Sequence, residues 1–188
     1  SDKFTVLLMG GSFGAGNIKD TLKELLLIDR DFQILVITGR NESLKERLEK
    51  SLEKSSFDKN ISVLGFTKDM NDILSAVDII VSKPGGLTTT ECLLKELPMI
   101  IPYYIPGQEE ENAKLLVKNG IAIWIKKDDN PKEIFEKFLA HPENLIIMKK
   151  NTNILAKPFS TKNICKIILG ENIEQKRTLI ILALVRTF

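Results

Sequence analysis

The chain has 188 residues, of which 43% are hydrophobic and 28% are charged, and its formal net charge is +2. These values are typical of a globular domain and exclude a disordered or fibrous protein. So mild a charge indicates no nucleic-acid binding. Cys92 and Cys165 are far apart and form no CxxC pair, so neither a zinc site nor a disulfide framework is predicted.

Short apolar runs alternate with amphipathic helical patterns along most of the chain. Strands are predicted within residues 4–9, 32–39, 61–66, 78–83, 98–103 and 121–125, and helices within 17–28, 42–55, 70–76, 88–97 and 110–120. This alternation is typical of a doubly wound parallel α/β sheet, which binds ligands beyond the carboxyl ends of its strands. After residue 130 the pattern is helical, within 131–142, 144–157 and 160–170.

We therefore expect one α/β domain over residues 1–170, followed by a C-terminal helical tail at 171–188 whose packing the pattern leaves open. The apolar run 179–185 is far shorter than the roughly 20 residues that a transmembrane helix needs. Lys and Arg outnumber Asp and Glu between residues 149 and 186. We interpret this excess as a solvated helical face, with attraction to an anionic membrane surface as the alternative.

A glycine-rich segment, GGSFGAGN at residues 10–17, joins the first predicted strand to the first predicted helix. Its glycines let the backbone approach a ligand closely, and the amides of the helix start would face an anion. The segment matches neither GxGxxG nor the P-loop pattern, which disfavours a dinucleotide oxidoreductase and an NTPase. We predict a phosphate-binding loop, with a turn that serves only strand-to-helix packing as the alternative.

A second segment, KPGGLTTTE at residues 83–91, repeats this arrangement after the fourth predicted strand. Gly85 and Gly86 permit close backbone approach, and a helix is predicted to begin near Thr88 with free amides at its N-terminus. Two such helix starts facing one crevice suit a diphosphate. Glu91 is expected in the first turn, where its carboxylate either binds the paired hydroxyls of a ribose or caps its own helix, and both roles stay open.

A third polar loop, YYIPGQEEEN at residues 103–112, follows the fifth predicted strand. Pro106 and Gly107 predict a turn that presents Gln108 and Glu109 beside the next helix start. An amide next to a carboxylate offers donors and acceptors that suit sugar hydroxyls. Taken singly, each is an ordinary polar loop residue.

In their order and spacing, these loops and the intervening segment LGFTKDMNDILSAVDIIV at residues 64–81 resemble the C-terminal, donor-binding half of GT-B glycosyltransferases. The group that they resemble most is the processive diacylglycerol glucosyltransferases and monogalactosyldiacylglycerol synthases, over about residues 4–157. The KPGG and PGQE forms favour this group over the related transferase that makes lipid II. The resemblance implies a Rossmann-like parallel sheet of about six strands, which is one half of a GT-B fold, followed by C-terminal helices.

The resemblance also implies roles for individual residues. The donor diphosphate would be bound by Gly11, Ser12, Gly14, Gly86, Leu87 and Thr88. Phe66 and Met70 would bind the uracil, Glu91 the ribose, and Gln108 and Glu109 the hexose, with Asn112 supporting that loop. No metal or other cofactor is expected, because helix N-termini would stabilise the departing diphosphate. No catalytic residue is expected in this chain, since such enzymes carry the base on their N-terminal half.

The function that the resemblance implies is inverting transfer of a hexose from UDP-glucose or UDP-galactose to diacylglycerol, in glycolipid synthesis. The acceptor would bind through the N-terminal half, so this chain by itself is expected to bind UDP-sugar and to transfer nothing. The expected location is cytoplasmic, on the inner face of the membrane. The alternatives are N-acetylglucosamine transfer in lipid II synthesis, a sugar-nucleotide epimerase and a non-catalytic binding module.

Overall fold

The computed structural model describes residues 3–10, 18–54 and 59–171. Strands and helices alternate along these ranges and end in three consecutive helices. In chain order they are β1 (Thr5–Met9), α1 (Ile18–Leu26), β2 (Gln33–Ile37), α2 (Glu42–Glu53), β3 (Ile61–Leu64), α3 (Met70–Ala76), β4 (Ile79–Val81), α4 (Gly86–Leu94), β5 (Met99–Ile101), α5 (Gln108–Lys118), β6 (Ala122–Trp124), α6 (Pro131–Ala140), α7 (Pro142–Leu155) and α8 (Ser160–Ile168).

The strands form one parallel sheet in the order β3-β2-β1-β4-β5-β6. Leu7 in the middle of β1 pairs with Leu35 on one side and with Ile80 on the other. This order confirms the predicted Rossmann-like doubly wound sheet. Since the order reverses between β1 and β4, the loops that follow these two strands flank the position where such sheets bind ligands.

Alternate residues of each strand point to opposite faces of the sheet and pack into two separate hydrophobic layers, one on each face. Val6, Leu8 and Val81 pack with α1, α2, α6 and α7, whereas Leu7 and Ile80 pack with α3, α4 and α5. Strands that are buried on both faces read as continuous apolar runs, which is why the sequence predicted them. Helices α3, α4 and α5 consequently lie side by side on one face.

Two helices begin earlier than the sequence pattern predicted. Helix α4 begins at Gly86 and not near Thr88, because Gly85 is extended (φ −64°, ψ 150°) and the helical conformation follows it at once. Helix α5 begins at Gln108 and not at Glu110. Glycine disfavours helix interiors, but at a first helical position the cost is small because no intrahelical N–H bond is at stake.

The chain divides into two compact units, Ser1–Ala156 and Lys157–Phe188. Helix α8 belongs to the second unit and carries exposed Ile164, Ile167 and Ile168. The tail that was expected from residue 171 lies outside the described residues from 172 onward, so its boundary stays a prediction. No helix within the described ranges is long and apolar enough to cross a bilayer.

The edge strand β3 is tied to the loop between α1 and β2 by Lys59. The ammonium group of Lys59 donates to the backbone carbonyls of Ile28 and Arg30. The same group lies 4.7 Å from the ring centroid of Phe32, a fully buried residue. Two charge-assisted hydrogen bonds and a cation–π contact therefore hold the start of β3 against the core.

We predict that Lys59→Met lowers the free energy of unfolding by about 1 to 3 kcal/mol, since two carbonyl groups lose a charged donor. Chemical denaturation measures the change. Lys68→Met is the matched control, because Lys68 is exposed and should change stability by less than about 0.5 kcal/mol. Equal effects of the two substitutions would contradict the role of Lys59.

Candidate functional site

Three neighbouring helices begin at the carboxyl edge of the sheet, on the same face. Helix α3 starts at Met70 after β3, α4 starts at Gly86 after β4, and α5 starts at Gln108 after β5. The helices pack in this order, α3 against α4 and α4 against α5. Their N-termini, each carrying roughly half a positive charge, therefore lie along one edge.

The first turn of α4 offers backbone donors to an anion. Thr89 is the first residue whose amide bonds within the turn, to the Gly85 carbonyl at 2.8 Å. The amides of Gly86, Leu87 and Thr88 precede it and have no intrahelical acceptor. Leu87 is 84% exposed, so the start of the helix is open to solvent.

The start of α5 is built around Gly107 and the carboxylate of Glu109. Gly107 has φ 107° and ψ −126°, a backbone conformation that residues other than glycine rarely adopt. The Oε2 atom of Glu109 accepts a hydrogen bond from the Ile105 amide at 2.8 Å, and Oε1 forms an ion pair with Lys83. The side chains of Lys83 and Glu109 are only 20% and 13% exposed, so this pair is largely buried.

The loop before α4 and the start of α5 contact each other directly. Asn112 donates from Nδ2 to the Pro84 carbonyl at 2.9 Å. A Cβ atom at Gly86 would lie 3.4 Å from Nε2 of Gln108, at the near limit of ordinary van der Waals contact. Asn112 thus supports the segment 83–86, and the Gln108 side chain lies beside the first turn of α4.

Phe66 lies between β3 and α3, near the helix start at Met70. Its ring is 55% exposed, and the guanidinium carbon of Arg40 lies 5.2 Å from the ring centroid. Arg40 follows β2, so this contact joins two neighbouring loops of the carboxyl edge. An exposed aromatic ring beside an arginine is a surface on which a planar base can stack.

Glu91 occupies the second turn of α4, and its expected place in the first turn is wrong. The helix begins at Gly86, two residues earlier than predicted, which moves Glu91 further from the N-terminus. Its carboxylate is exposed and makes no hydrogen bond or ion pair with any described residue. The alternative that Glu91 caps its own helix is therefore excluded, and its carboxylate faces solvent.

The structure describes some of the site residues that the sequence predicted, but not all of them. Gly11, Ser12 and Gly14 lie outside the described residues, and their diphosphate role stays a prediction. Residues assigned to each part of the donor lie at the starts of three adjacent helices: Phe66 and Met70, then Gly86, Leu87, Thr88 and Glu91, then Gln108, Glu109 and Asn112. Sequence reasoning assigned no role to Lys83, the last residue of the fourth predicted strand, or to Arg40, which immediately follows the second.

The pKa values of two groups in this region, the partly buried Tyr103 and the buried Cys92, are raised. Burial, with a smaller contribution from the charge of Glu109, raises the pKa of Tyr103 to about 12. Burial, and then the charge of Glu91, raises the pKa of the Cys92 thiol well above its usual range. Cys92 is therefore a packing residue and not a nucleophile at neutral pH.

An open cavity of about 370 Å³ lies away from these helix starts and is lined by Ala122, Phe138 and Met148, between β6, α6 and α7. Another cavity, of about 290 Å³, is lined by Phe4 and Phe32, at the amino ends of β1 and β2. No group of three His, Cys, Asp or Glu residues within the described ranges is arranged to hold a metal ion.

Known proteins share this chain's sequence and fold. Residues 5–164 match the model of the glycosyltransferase family 28 C-terminal domain. Processive diacylglycerol beta-glucosyltransferases from Bacillus subtilis and Bacillus pumilus are 35% and 34% identical over 91% and 92% of this chain, and each match covers 44% of the relative. The crystal structure of MurG from Acinetobacter baumannii superposes with a TM-score of 0.74 at 22% identity, covering 90% of this chain and 50% of that one.

The fold is thus a Rossmann-like domain of the kind found in GT-B glycosyltransferases, as the sequence predicted. The chain belongs to glycosyltransferase family 28, of which it carries the C-terminal domain. It spans less than half the length of the curated relatives that it matches.

The closeness of Tyr103 and Glu109 can be tested by titration. The two tyrosines of the chain are Tyr103 and Tyr104, so Tyr104→Phe leaves Tyr103 as the only phenol. We predict that the absorbance of Tyr103 changes with a midpoint near pH 12. Adding Glu109→Gln should lower this midpoint only slightly, because burial is the larger cause of the raised pKa. Glu110→Gln, which alters the next carboxylate of the same turn, is the control and should leave the midpoint unchanged.

The same pKa shift makes stability depend on pH. Because the folded-state pKa of Tyr103 lies above the ordinary value of 10.0, its contribution is complete below pH 10 and is lost as the pH rises through about 12. A Tyr103 midpoint near 10 in the folded Tyr104→Phe protein would contradict the buried placement of Tyr103.

Proposed function

We propose that this chain is the UDP-hexose-binding half of an inverting glycosyltransferase that transfers the hexose to diacylglycerol. One observation carries the proposal. The starts of α3, α4 and α5 lie side by side at the carboxyl edge, in the order in which base, phosphates and hexose follow one another in a UDP-sugar. An extended nucleotide sugar laid along this edge would contact each helix start with one of its parts.

The diphosphate would bind at the N-terminus of α4. Three amides without intrahelical acceptors converge there, and the helix dipole adds roughly half a positive charge. The same donors would stabilise the charge that develops on the leaving diphosphate, because they are already oriented before the reaction begins. We propose that these dipoles, together with the predicted phosphate-binding segment at residues 10–17, take the place of a divalent cation.

The ribose would bind at Glu91. Residues three and four apart lie on the same side of a helix, so Glu91 is on the same face as Leu87 and Thr88. The helical rise of 1.5 Å per residue places it roughly 5 Å further along the axis, which suits the sugar that adjoins the diphosphate. A solvent-exposed carboxylate can accept hydrogen bonds from both ribose hydroxyls.

The uracil and the hexose would lie at the two ends of the row. Phe66 and Met70 offer an apolar surface for the base, and Arg40 borders that surface. Gln108 and Glu109 would face the hexose. The names of the relatives, processive diacylglycerol beta-glucosyltransferases, favour glucose as the sugar and diacylglycerol as the acceptor. Because diacylglycerol is a membrane lipid, we propose the inner membrane surface as the location. The acceptor-binding site and the catalytic base would be supplied by the part of these enzymes that the chain does not match.

We predict that the chain binds UDP and that Glu91→Ala weakens this binding by about tenfold, the equivalent of one charge-assisted hydrogen bond. Isothermal titration calorimetry with UDP, in the presence and absence of a metal chelator, measures both the affinity and its independence of metal. Glu46→Ala is the matched control, since it removes an exposed carboxylate from α2 and should leave the affinity unchanged.

The same titrations with UDP-glucose, UDP-galactose and UDP-N-acetylglucosamine distinguish the donor. Tighter binding of UDP-glucose supports the proposal, whereas preference for UDP-N-acetylglucosamine would favour the lipid II alternative. Unchanged UDP affinity in Glu91→Ala would show that the ribose assignment is wrong. A requirement for a divalent cation would contradict the electrostatic role of the α4 N-terminus.

A further inference from the structure

We propose that Lys83 is a positioning residue that orients the Glu109 carboxylate toward the donor hexose and so sets hexose recognition. This inference rests on the proposed function. Lys83 lies in the loop between β4 and α4, and Glu109 lies in the first turn of α5. Their ion pair therefore joins the proposed diphosphate site to the proposed hexose site.

Both oxygens of Glu109 are held from the protein side. Oε1 pairs with the Lys83 ammonium and Oε2 accepts from the Ile105 amide at 2.8 Å, so rotation of the carboxylate would break at least one of these contacts. Each carboxylate oxygen has further lone pairs, and these remain able to accept hydrogen bonds from hydroxyl groups. Glu109 is thus fixed in direction and still able to bind a sugar.

The pair is buried enough for the charge of Lys83 to matter. With Glu109 only 13% exposed, its carboxylate would be left largely desolvated without a cationic partner. A carboxylate in that condition gains by turning toward solvent, and this change removes a fixed acceptor. Tyr103, whose pKa is raised by burial and then by the charge of Glu109, carries no positive charge that could take the place of Lys83.

Further contacts join the two segments that carry this ion pair. Asn112 donates to the Pro84 carbonyl at 2.9 Å, one residue away from Lys83. A Cβ atom at Gly85 would lie 3.9 Å from Oε1 of Glu109, so the loop backbone passes close to the carboxylate. Lys83 and Glu109 therefore lie in two segments that also contact each other at Pro84 and Gly85.

A competing role for Lys83 is direct binding of the diphosphate by its ammonium. The structure favours the positioning role, because Lys83 is 20% exposed and its ammonium is already paired with Glu109, while α4 supplies separate donors for the phosphates. The two roles differ in a measurable way. Direct binding makes Lys83 contribute to UDP affinity, whereas positioning makes it contribute only when the hexose is present.

The test is calorimetric titration of the 188-residue chain with UDP and with UDP-glucose, comparing the ratio of the two dissociation constants between variants. Lys83→Met keeps an unbranched side chain that is one atom shorter and removes the charge. We expect unchanged UDP affinity and a loss of about tenfold in UDP-glucose affinity. Lys83→Arg should retain the wild-type ratio, and Lys83→Met combined with Glu109→Gln should match Glu109→Gln alone, since Lys83 acts through Glu109.

Thermal melts show whether each variant is folded. If Lys83→Met does not fold, the ratio of dissociation constants is compared between the two single variants, Lys83→Arg and Glu109→Gln. An equal loss of UDP and UDP-glucose affinity in Lys83→Met would overturn the proposal in favour of direct phosphate binding. An unchanged ratio in folded Lys83→Met, or in folded Glu109→Gln, would overturn it as well. Failure of the wild-type chain to bind UDP is a different result, which refutes the proposed function itself.

Discussion

The contact between the 83–86 loop and the first turn of α5 is the feature on which the proposed site depends. The parallel sheet brings the two segments to one edge, but it does not fix their separation. The Lys83–Glu109 ion pair and the Asn112–Pro84 hydrogen bond do so, and both join residues that are more than 25 positions apart in the chain. As a result the start of α4 and the start of α5 form one surface.

This surface combines two kinds of recognition that need different chemistry. A diphosphate is bound well by backbone amides and a helix dipole, which carry no titratable group and need no reorganisation. A hexose is distinguished by acceptors and donors in fixed directions, which side chains such as Gln108 and Glu109 provide. The two lie close together, because Cβ atoms at positions 85 and 86 would be 3.9 Å from Oε1 of Glu109 and 3.4 Å from Nε2 of Gln108.

The sequence predicted the fold well because the fold depends on local patterns. Strands buried on both faces appear as apolar runs, and the helices between them show helical periodicity, so all six strands were anticipated. Helix starts were less predictable. The pattern placed the start of α4 near Thr88, because a helix start was read from the threonines, whereas the extended Gly85 begins it at Gly86 and shifts Glu91 into the second turn.

The contacts of the site were harder to predict than its residues. The resemblance named Gln108, Glu109 and Asn112, but a resemblance does not show that Asn112 bonds to the 83–86 loop. Lys83 was missed because its partner is 26 positions away, and a lysine before Pro-Gly-Gly has no local sign of pairing. The part played by Gly11, Ser12 and Gly14 stays a prediction, since they lie outside the described residues.

The most direct test of the central claim is amide NMR of the chain during titration with UDP and, separately, with uridine. If the N-terminus of α4 binds the diphosphate, the amide signals of Gly86, Leu87 and Thr88 shift strongly with UDP and little with uridine. If these three signals stay in place while UDP shifts signals elsewhere, the diphosphate binds at another site and the account is wrong.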